Sequence, residues 1–367
     1  MKKVGIITFH ASHNYGSMLQ AYALQQTILR IGHNCKIINL RTKKQRKFYR
    51  PLVFSSVWQD RIKALLFPFL AYADLRKHHL FEQFLSNKLL TTTEIKSPEL
   101  LNESALGFDI YVSGSDQIWN TCCPDYVSSF FLDFVYNHKK IAYAPSMGPC
   151  PDETISPELY GFIENALNSY CEISVREAGT ADFVERITGK RPKICIDPTL
   201  LIEEEEWRLL AGRKPIISED YMLFYSPFPT KEQCSELLLL SKRTGLKVIL
   251  TTPNGTFRLI HKKCIKYHIN VGPIEFLNLI RHAQFVISGS FHAVVFSIIF
   301  ARPFYAIDGM SDNRVSSLLK LTKMECYAVR PNTIKDSDSC REDFNKAKQI
   351  ILTAKEDSML FLKSTLV

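Results

Sequence analysis

Phe285-Val286-Ile287-Ser288-Gly289-Ser290-Phe291-His292-Ala293, continued by the apolar residues 294–300, is the stretch from which the fold can be read. Three strand-forming residues meet three small ones, and an apolar segment of helical character follows. A turn of this kind between strand and helix directs backbone N–H groups and the positive end of the helix dipole at one point, where an anion is stabilised. His292 stands at that point. Either Ser288, Gly289 and Ser290 cradle an anion with a proton donor beside it, or His292 is a buried histidine at the start of a core helix.

Outward from this turn, the same alternation repeats. Strands are expected at residues 3–9, 37–40, 108–112 and 141–144, with a helix over 18–30, a helical stretch through 85 and another helix over 157–170. The pattern then restarts with strands at 173–175, 193–196, 221–225, 247–250, 285–287 and 303–307. Helices over 178–187, 231–244, 294–300 and 314–321 separate most of these, and Gly272-Pro273 opens one more, since proline suits a first helical turn. Alternating strands and helices make an α/β protein with mostly parallel sheets and ligands at the carboxyl ends of strands. The expected division is a first domain over 1–171, with a basic and amphipathic insertion at about 41–90, and a second over 172–340. A C-terminal helix over 341–367 then packs back on the first.

The 367 residues suffice for about two domains, and 46% hydrophobic content suffices for their cores. The first apolar run is too short for a signal peptide and no later run reaches membrane-spanning length, so a cytoplasmic location is expected. The ten cysteines are scattered without a C-x-x-C pair, and they read as reduced thiols rather than a zinc site or a disulfide framework. A net charge of +9 favours anionic partners without choosing among phosphorylated small molecules, nucleic acid and acidic membrane. Much of it sits in Arg41, Lys43, Lys44, Arg46, Lys47 and Arg50, just before an amphipathic segment over 58–72. Such a segment lies at the inner face of an anionic bilayer or packs as an ordinary helix behind a solvated loop.

Several polar loops follow strands. Asn14-Tyr15-Gly16-Ser17 offers Asn14, Gly16 and Ser17 to a ligand or caps a helix, and it lacks the G-x-G-x-x-G spacing of dinucleotide sites. In Gly114-Ser115-Asp116-Gln117-Ile118-Trp119-Asn120, Asp116 is placed to take a proton from a sugar hydroxyl and Trp119 to stack on a sugar face, with Gln117 and Asn120 beside them. Ser146, in the next loop, shapes the same region. Arg176 is suited to grip a phosphate or carboxylate, or to form a salt bridge with Glu177. Asp197 and Arg314 are further polar positions at element ends.

These segments, with Asp197-Pro198-Thr199-Leu200-Leu201, Gly272-Pro273-Ile274-Glu275-Phe276 and the run from Ser290 to Phe300, resemble in order the polysaccharide pyruvyl transferase family over residues 4–321. The resemblance implies two Rossmann-like domains in a GT-B-like arrangement with the active site in the interdomain cleft. It implies phosphoenolpyruvate as donor co-substrate and a sugar of a cell-surface polysaccharide, or its lipid-linked precursor, as acceptor, with a pyruvate ketal as product. No cofactor, metal or nucleic acid is implied. His292 matches the family's histidine beside the donor, Arg176 its anion-binding arginine and Asp116 its acidic residue in the first half. The chain departs from the pattern at Ser290, where members with an Arg-Leu-His motif carry a donor-binding arginine. Arg314 or Arg281 supplies that charge, or the donor is held differently. A glycosyltransferase using a nucleotide-sugar donor and a non-catalytic member of an assembly complex are the alternatives.

Overall fold

The computed structural model describes the chain except residues 56, 150–153, 228, 253–255, 257–258, 260–261 and 332–340 and the side chains of residues 63 and 341. In chain order the strands and α-helices are β1 (Lys3–Ile7), α1 (Tyr15–Ile31), β2 (Asn34–Ile37), α2 (Lys43–Phe48), α3 (Trp58–Leu66), α4 (Pro68–Lys88), α5 (Glu103–Leu106), β3 (Ile110–Asp116), β4 (Lys139–Pro145), α6 (Pro157–Asn168), β5 (Glu172–Val175), α7 (Ala178–Thr188) and β6 (Lys193–Ile194). There follow α8 (Glu204–Ala211), β7 (Tyr221–Tyr225), α9 (Lys231–Thr244), β8 (Lys247–Leu250), β9 (Ile265–Tyr267), α10 (Pro273–His282), β10 (Phe285–Ser288), α11 (Phe291–Ile299), β11 (Phe304–Ile307), α12 (Asn313–Thr322), β12 (Ala328–Val329) and α13 (Arg341–Thr365).

They form two compact units. The first comprises Met1–Arg50, Glu82–Ile202 and Thr353–Val367, and the second Pro51–Phe81 and Glu203–Leu352. The first holds a parallel sheet in the order β2-β1-β3-β4-β5-β6, the second a parallel sheet in the order β12-β11-β10-β7-β8-β9. The two-Rossmann class expected from the sequence is therefore the one observed. In each sheet the chain winds outward from a central strand to one side and then reverses, between β1 and β3 in the first unit and between β7 and β10 in the second. Ligands of open α/β sheets bind at the carboxyl ends of strands beside such a reversal.

Helices cover both faces of the central strands, so β3 and β7 are buried along their whole length, and β7 is apolar throughout. Helix α11 is buried all round, with Phe296 edge-on to Trp207 at 5.0 Å, which is why its sequence is apolar apart from His292 and Ser297. Among the described residues, no helix is long and apolar enough to cross a membrane.

Several boundaries differ from expectation. The restart at residue 173 is no new domain: β5 and β6 extend the first sheet, with Ile141 opposite Glu172 and Ser174 opposite Lys193. Alternation looks the same whether a sheet continues or another begins, so the boundary moves to Ile202. Nor does the insertion belong wholly to the first domain, since Pro51–Phe81 falls in the second unit. There Leu80 lies against the Gly272 turn so closely that a Cβ at 272 would meet its Cβ at 2.6 Å. The amphipathic segment is two helices, because Pro68 cannot donate to the ladder of α3 and starts α4 instead. The basic stretch is not all loop. Thr42 caps the short helix α2 by accepting from the Gln45 amide at 3.1 Å. The second half of α13 belongs to the first unit, where Lys193 Nζ donates to the Asp357 carbonyl and the Ile196 amide to Ser358 Oγ. Eight cysteines are free thiols; Cys150 and Cys340 lie outside the described residues.

Candidate active site

Gly114-Ser115-Asp116, expected in a loop, forms the end of β3 and is buried. Gly114 has φ +128° and would place a Cβ 2.1 Å from the Tyr143 carbonyl oxygen, so only glycine fits. Asp116 itself has φ +75°, in the left-handed region that residues with a Cβ adopt rarely and that recurs at functional sites. Its carboxylate faces the first turn of α1, where the Ser17 hydroxyl donates to Oδ2 at 2.5 Å.

The other Asp116 oxygen lies 3.6 Å from Nη2 of Arg176, just past the end of β5. The same guanidinium donates from Nη1 to Asp197 Oδ2 at 2.8 Å, and its Nε lies 3.6 Å from Glu177 Oε2. Asp197 is held in turn by the Thr199 amide and hydroxyl, at 3.0 and 2.6 Å. Arg176 is 6% exposed. Burial works against its charge, but Asp197, Asp116 and Glu177 outweigh burial and hold its pKa above the ordinary arginine value. Arg176 thus belongs to the first unit, not the donor half. One guanidinium lies among three carboxylates, with its 2.8 Å contact to Asp197 the shortest of the three. The salt-bridge alternative describes these contacts.

Trp119 is also corrected. It is 1% exposed, stacks on Phe131 at 5.2 Å with an interplanar angle of 8°, and donates from Nε1 to Ser113 Oγ at 3.2 Å. An indole so enclosed presents no face to a sugar. Asn120 accepts from the Cys122 amide at 3.0 Å, and Ser146 Oγ accepts from the Gly148 amide at 2.9 Å. Both side chains shape loops. Gln117 is half-buried and is the more accessible member of this group. Asn14 caps α1, accepting from the amides of Gly16 and Ser17 at 3.0 and 3.3 Å, so the capping alternative describes it.

In the second unit, the turn that opened the sequence reading lies at the carboxyl end of β10, beside β7. Ser288 donates to the Tyr225 carbonyl and accepts from the Ser290 amide at 3.0 Å, fixing the turn to the neighbouring strand. A Cβ on Gly289 would come no nearer than 3.4 Å to Ser226 Oγ, so close packing does not exclude a side chain there. Ser290 is the N-cap of α11, with φ −97° and ψ 130°, yet makes no side-chain capping hydrogen bond. His292 is in the first turn of α11, buried, with its ring edge-on to Phe291 at 5.1 Å.

Neither expected substitute cation is placed at this turn by its contacts. Arg314 donates through Nε and Nη2 to the two oxygens of Asp312, the cap of α12, at 3.0 and 2.5 Å. Arg281 donates to the carbonyls of Arg208 and Gly212, at 2.6 and 2.9 Å, and so closes the end of α8. The role of Asp197 as first partner of Arg176 was not legible, because 21 residues separate them and no local pattern links them. Its one signal was the Asp-Pro-Thr turn at a strand end.

No curated protein matches the chain. Among solved structures, UDP-GlcNAc 2-epimerase from Methanocaldococcus jannaschii is 12% identical with a TM-score of 0.50, covering 96% of this chain and 93% of its own. S. aureus MnaA in a co-structure with UDP is 8% identical with a TM-score of 0.51, covering 96% and 88%. At such identities the likeness is one of fold alone. A family model described as polysaccharide pyruvyl transferase matches residues 14–309, which spans Asn14, the Asp116–Arg176–Asp197 cluster and the Ser288–His292 turn. By that match, over most of its length, the chain belongs to the polysaccharide pyruvyl transferase family.

Proposed function

We propose that the chain transfers pyruvate from phosphoenolpyruvate to a sugar of a cell-surface polysaccharide or its lipid-linked precursor, and forms a ketal. Membership of the family supports pyruvylation of a polysaccharide. The observation that carries it is the start of α11, where the cap residue leaves its hydroxyl out of the first turn and His292 stands within that turn. A phosphate is suited to that position by the helix dipole and the backbone N–H groups.

The steps balance without a further reactant. A proton passes to the methylene carbon of phosphoenolpyruvate, leaving C2 electrophilic, and one sugar hydroxyl adds there. The C2–O bond to phosphate then breaks and a second hydroxyl of the same sugar closes the ketal, its proton leaving with phosphate or solvent. His292 is assigned as the acid, since an imidazole ring in the first turn of α11 can carry and release a proton. The start of α11 stabilises the departing phosphate. Asp116 is assigned as base toward the acceptor hydroxyl. Arg176 is a positioning residue that orients Asp116, and Gln117 is the remaining candidate for acceptor contact.

Ser290→Asp tests the donor assignment. Aspartate is a good N-cap and complements the helix dipole, so the fold should hold, while its carboxylate repels a second anion. By titration calorimetry, phosphoenolpyruvate is expected to bind the unaltered protein and to bind the variant at least about tenfold more weakly, a loss of about 1.4 kcal/mol. Equal binding by both would remove the donor from this turn. No binding to the unaltered protein, with and without a sugar acceptor, would remove phosphoenolpyruvate.

A further inference from the structure

Helix α3 is amphipathic with its apolar face turned outward. Trp58, Ile62 and Leu65 fall at i, i+4 and i+7, on one side of the helix, and all are exposed, Trp58 by 65% and Leu65 by 81%. Leu66, Phe67 and Phe69 continue the exposed apolar surface across the junction with α4, while Ala64 and Ala71 face inward. A water-facing helix ordinarily shows the reverse arrangement. The segment is tied down rather than loose: the Leu52 amide donates to Asp74 Oδ2 at 2.8 Å, and Ser55 Oγ to Asp60 Oδ2 at 2.8 Å. An exposed apolar surface held in a defined shape marks an interaction site.

Charge identifies the occupant. Residues 41–59 contain six lysines and arginines and no aspartate or glutamate. Arg41 is engaged in a two-point pair with Glu82 and Arg46 is paired with Glu94, but Lys43, Lys44, Lys47 and Arg50 are exposed. Arg50 is followed directly by Pro51, and four residues of chain, roughly 14 Å at most, bring it to Phe54. Cations that directly precede exposed tryptophan, phenylalanine and leucine in the chain fit a surface that is anionic above and apolar beneath. We propose that α3 and the start of α4, with the preceding basic stretch, dock the protein on an anionic lipid bilayer, the apolar residues entering the headgroup boundary without spanning the membrane. This docking does not depend on which reaction the protein performs.

Trp58 provides the probe. The chain has three tryptophans, and Trp119 and Trp207 are buried at 1% and 0% exposure, so a lipid-induced change in emission reports on Trp58. The full-length protein would be mixed with vesicles of phosphatidylcholine alone and with vesicles carrying roughly one-third phosphatidylglycerol. The anionic vesicles are expected to shift the emission to the blue, co-sediment the protein, and release it as salt is raised past the point where the Debye length falls to a few ångströms. Lipids brominated in the acyl chain should quench the shifted emission. Leu65→Asp with Leu66→Asp, at exposed positions, should weaken vesicle binding at least about tenfold, since two apolar side chains that enter the lipid on docking are replaced by charges that the lipid repels. Lys43→Glu, Lys44→Glu and Lys47→Glu together should weaken binding to the anionic vesicles by at least about tenfold and bring it to the level seen with neutral ones. Should the double aspartate variant fail to fold, quenching of Trp58 in the unaltered protein decides alone. Absence of a shift with anionic vesicles, equal binding to both vesicle types, or a shift that follows protein concentration without lipid would each overturn the proposal, the last in favour of self-association.

Discussion

Each unit reverses its winding beside a central parallel strand, and the two places where a ligand is expected are furnished in opposite ways. At the carboxyl ends of the first sheet's strands, Ser17, Asp116, Arg176, Asp197 and Glu177 answer one another, and Asn14 caps its own helix. At the carboxyl ends of β7 and β10, the side chains are small, the cap hydroxyl is not used, and a histidine occupies the first turn. The first arrangement holds a carboxylate in one orientation. The second leaves the helix dipole to act on whatever approaches. Topology marks both as candidate sites, and only the hydrogen-bond partners distinguish a site that holds a group in place from one that receives a ligand.

The comparison is tested most severely by Arg176→Met. Removing one partner of a buried ion cluster leaves uncompensated charge, so a loss of about 3–5 kcal/mol in stability is expected in chemical denaturation. A variant as stable as the parent that simply failed to bind phosphoenolpyruvate would reverse the assignment and return Arg176 to the donor. His292→Gln should do the opposite. It retains a polar side chain at the turn, and pyruvyl transfer is expected to fall about 10²- to 10⁴-fold, the usual contribution of general acid–base catalysis, while the melting temperature moves by a few degrees at most. A tenfold loss or less in turnover would leave His292 as packing. The smallest effects sharpen the contrast between the two caps. Asn14→Ala should cost about 0.5–2 kcal/mol because its side chain serves the α1 amides, whereas Ser290→Ala should cost less than about 0.5 kcal/mol because that hydroxyl serves none. Equal costs would mean that the turn before α11 is closed in solution as the other is.

Much of the fold was legible because its signals are local. Gly272-Pro273 opens α10, Asn14 opens α1, and the three apolar residues before Ser288 are a strand, each for reasons confined to a few neighbours. Legibility ended where a partner had to be chosen from afar. Trp119 looked available for a sugar because an aromatic residue in a polar stretch carries no mark of what covers it; Phe131 and Ser113 do. Arg176 looked like a phosphate ligand because a strand-end arginine reads the same whether a carboxylate or a substrate lies opposite. For α3 the pattern of apolar residues was visible, but not that its apolar side faces outward, since periodicity reports that a helix has two sides and not which of them is covered.

The sequence by itself therefore determined most of the long elements, the α/β class with parallel sheets and the turn that carries His292, because φ/ψ preference, capping and apolar periodicity act over a few residues. The tertiary structure alone decided that β5 and β6 belong to the first sheet, that Ser17 meets Asp116 across 99 residues, and that Arg176 is enclosed by three carboxylates. Strand pairing and buried ion pairs depend on which distant segments arrive together, and burial gives those contacts their strength only after the chain has folded around them.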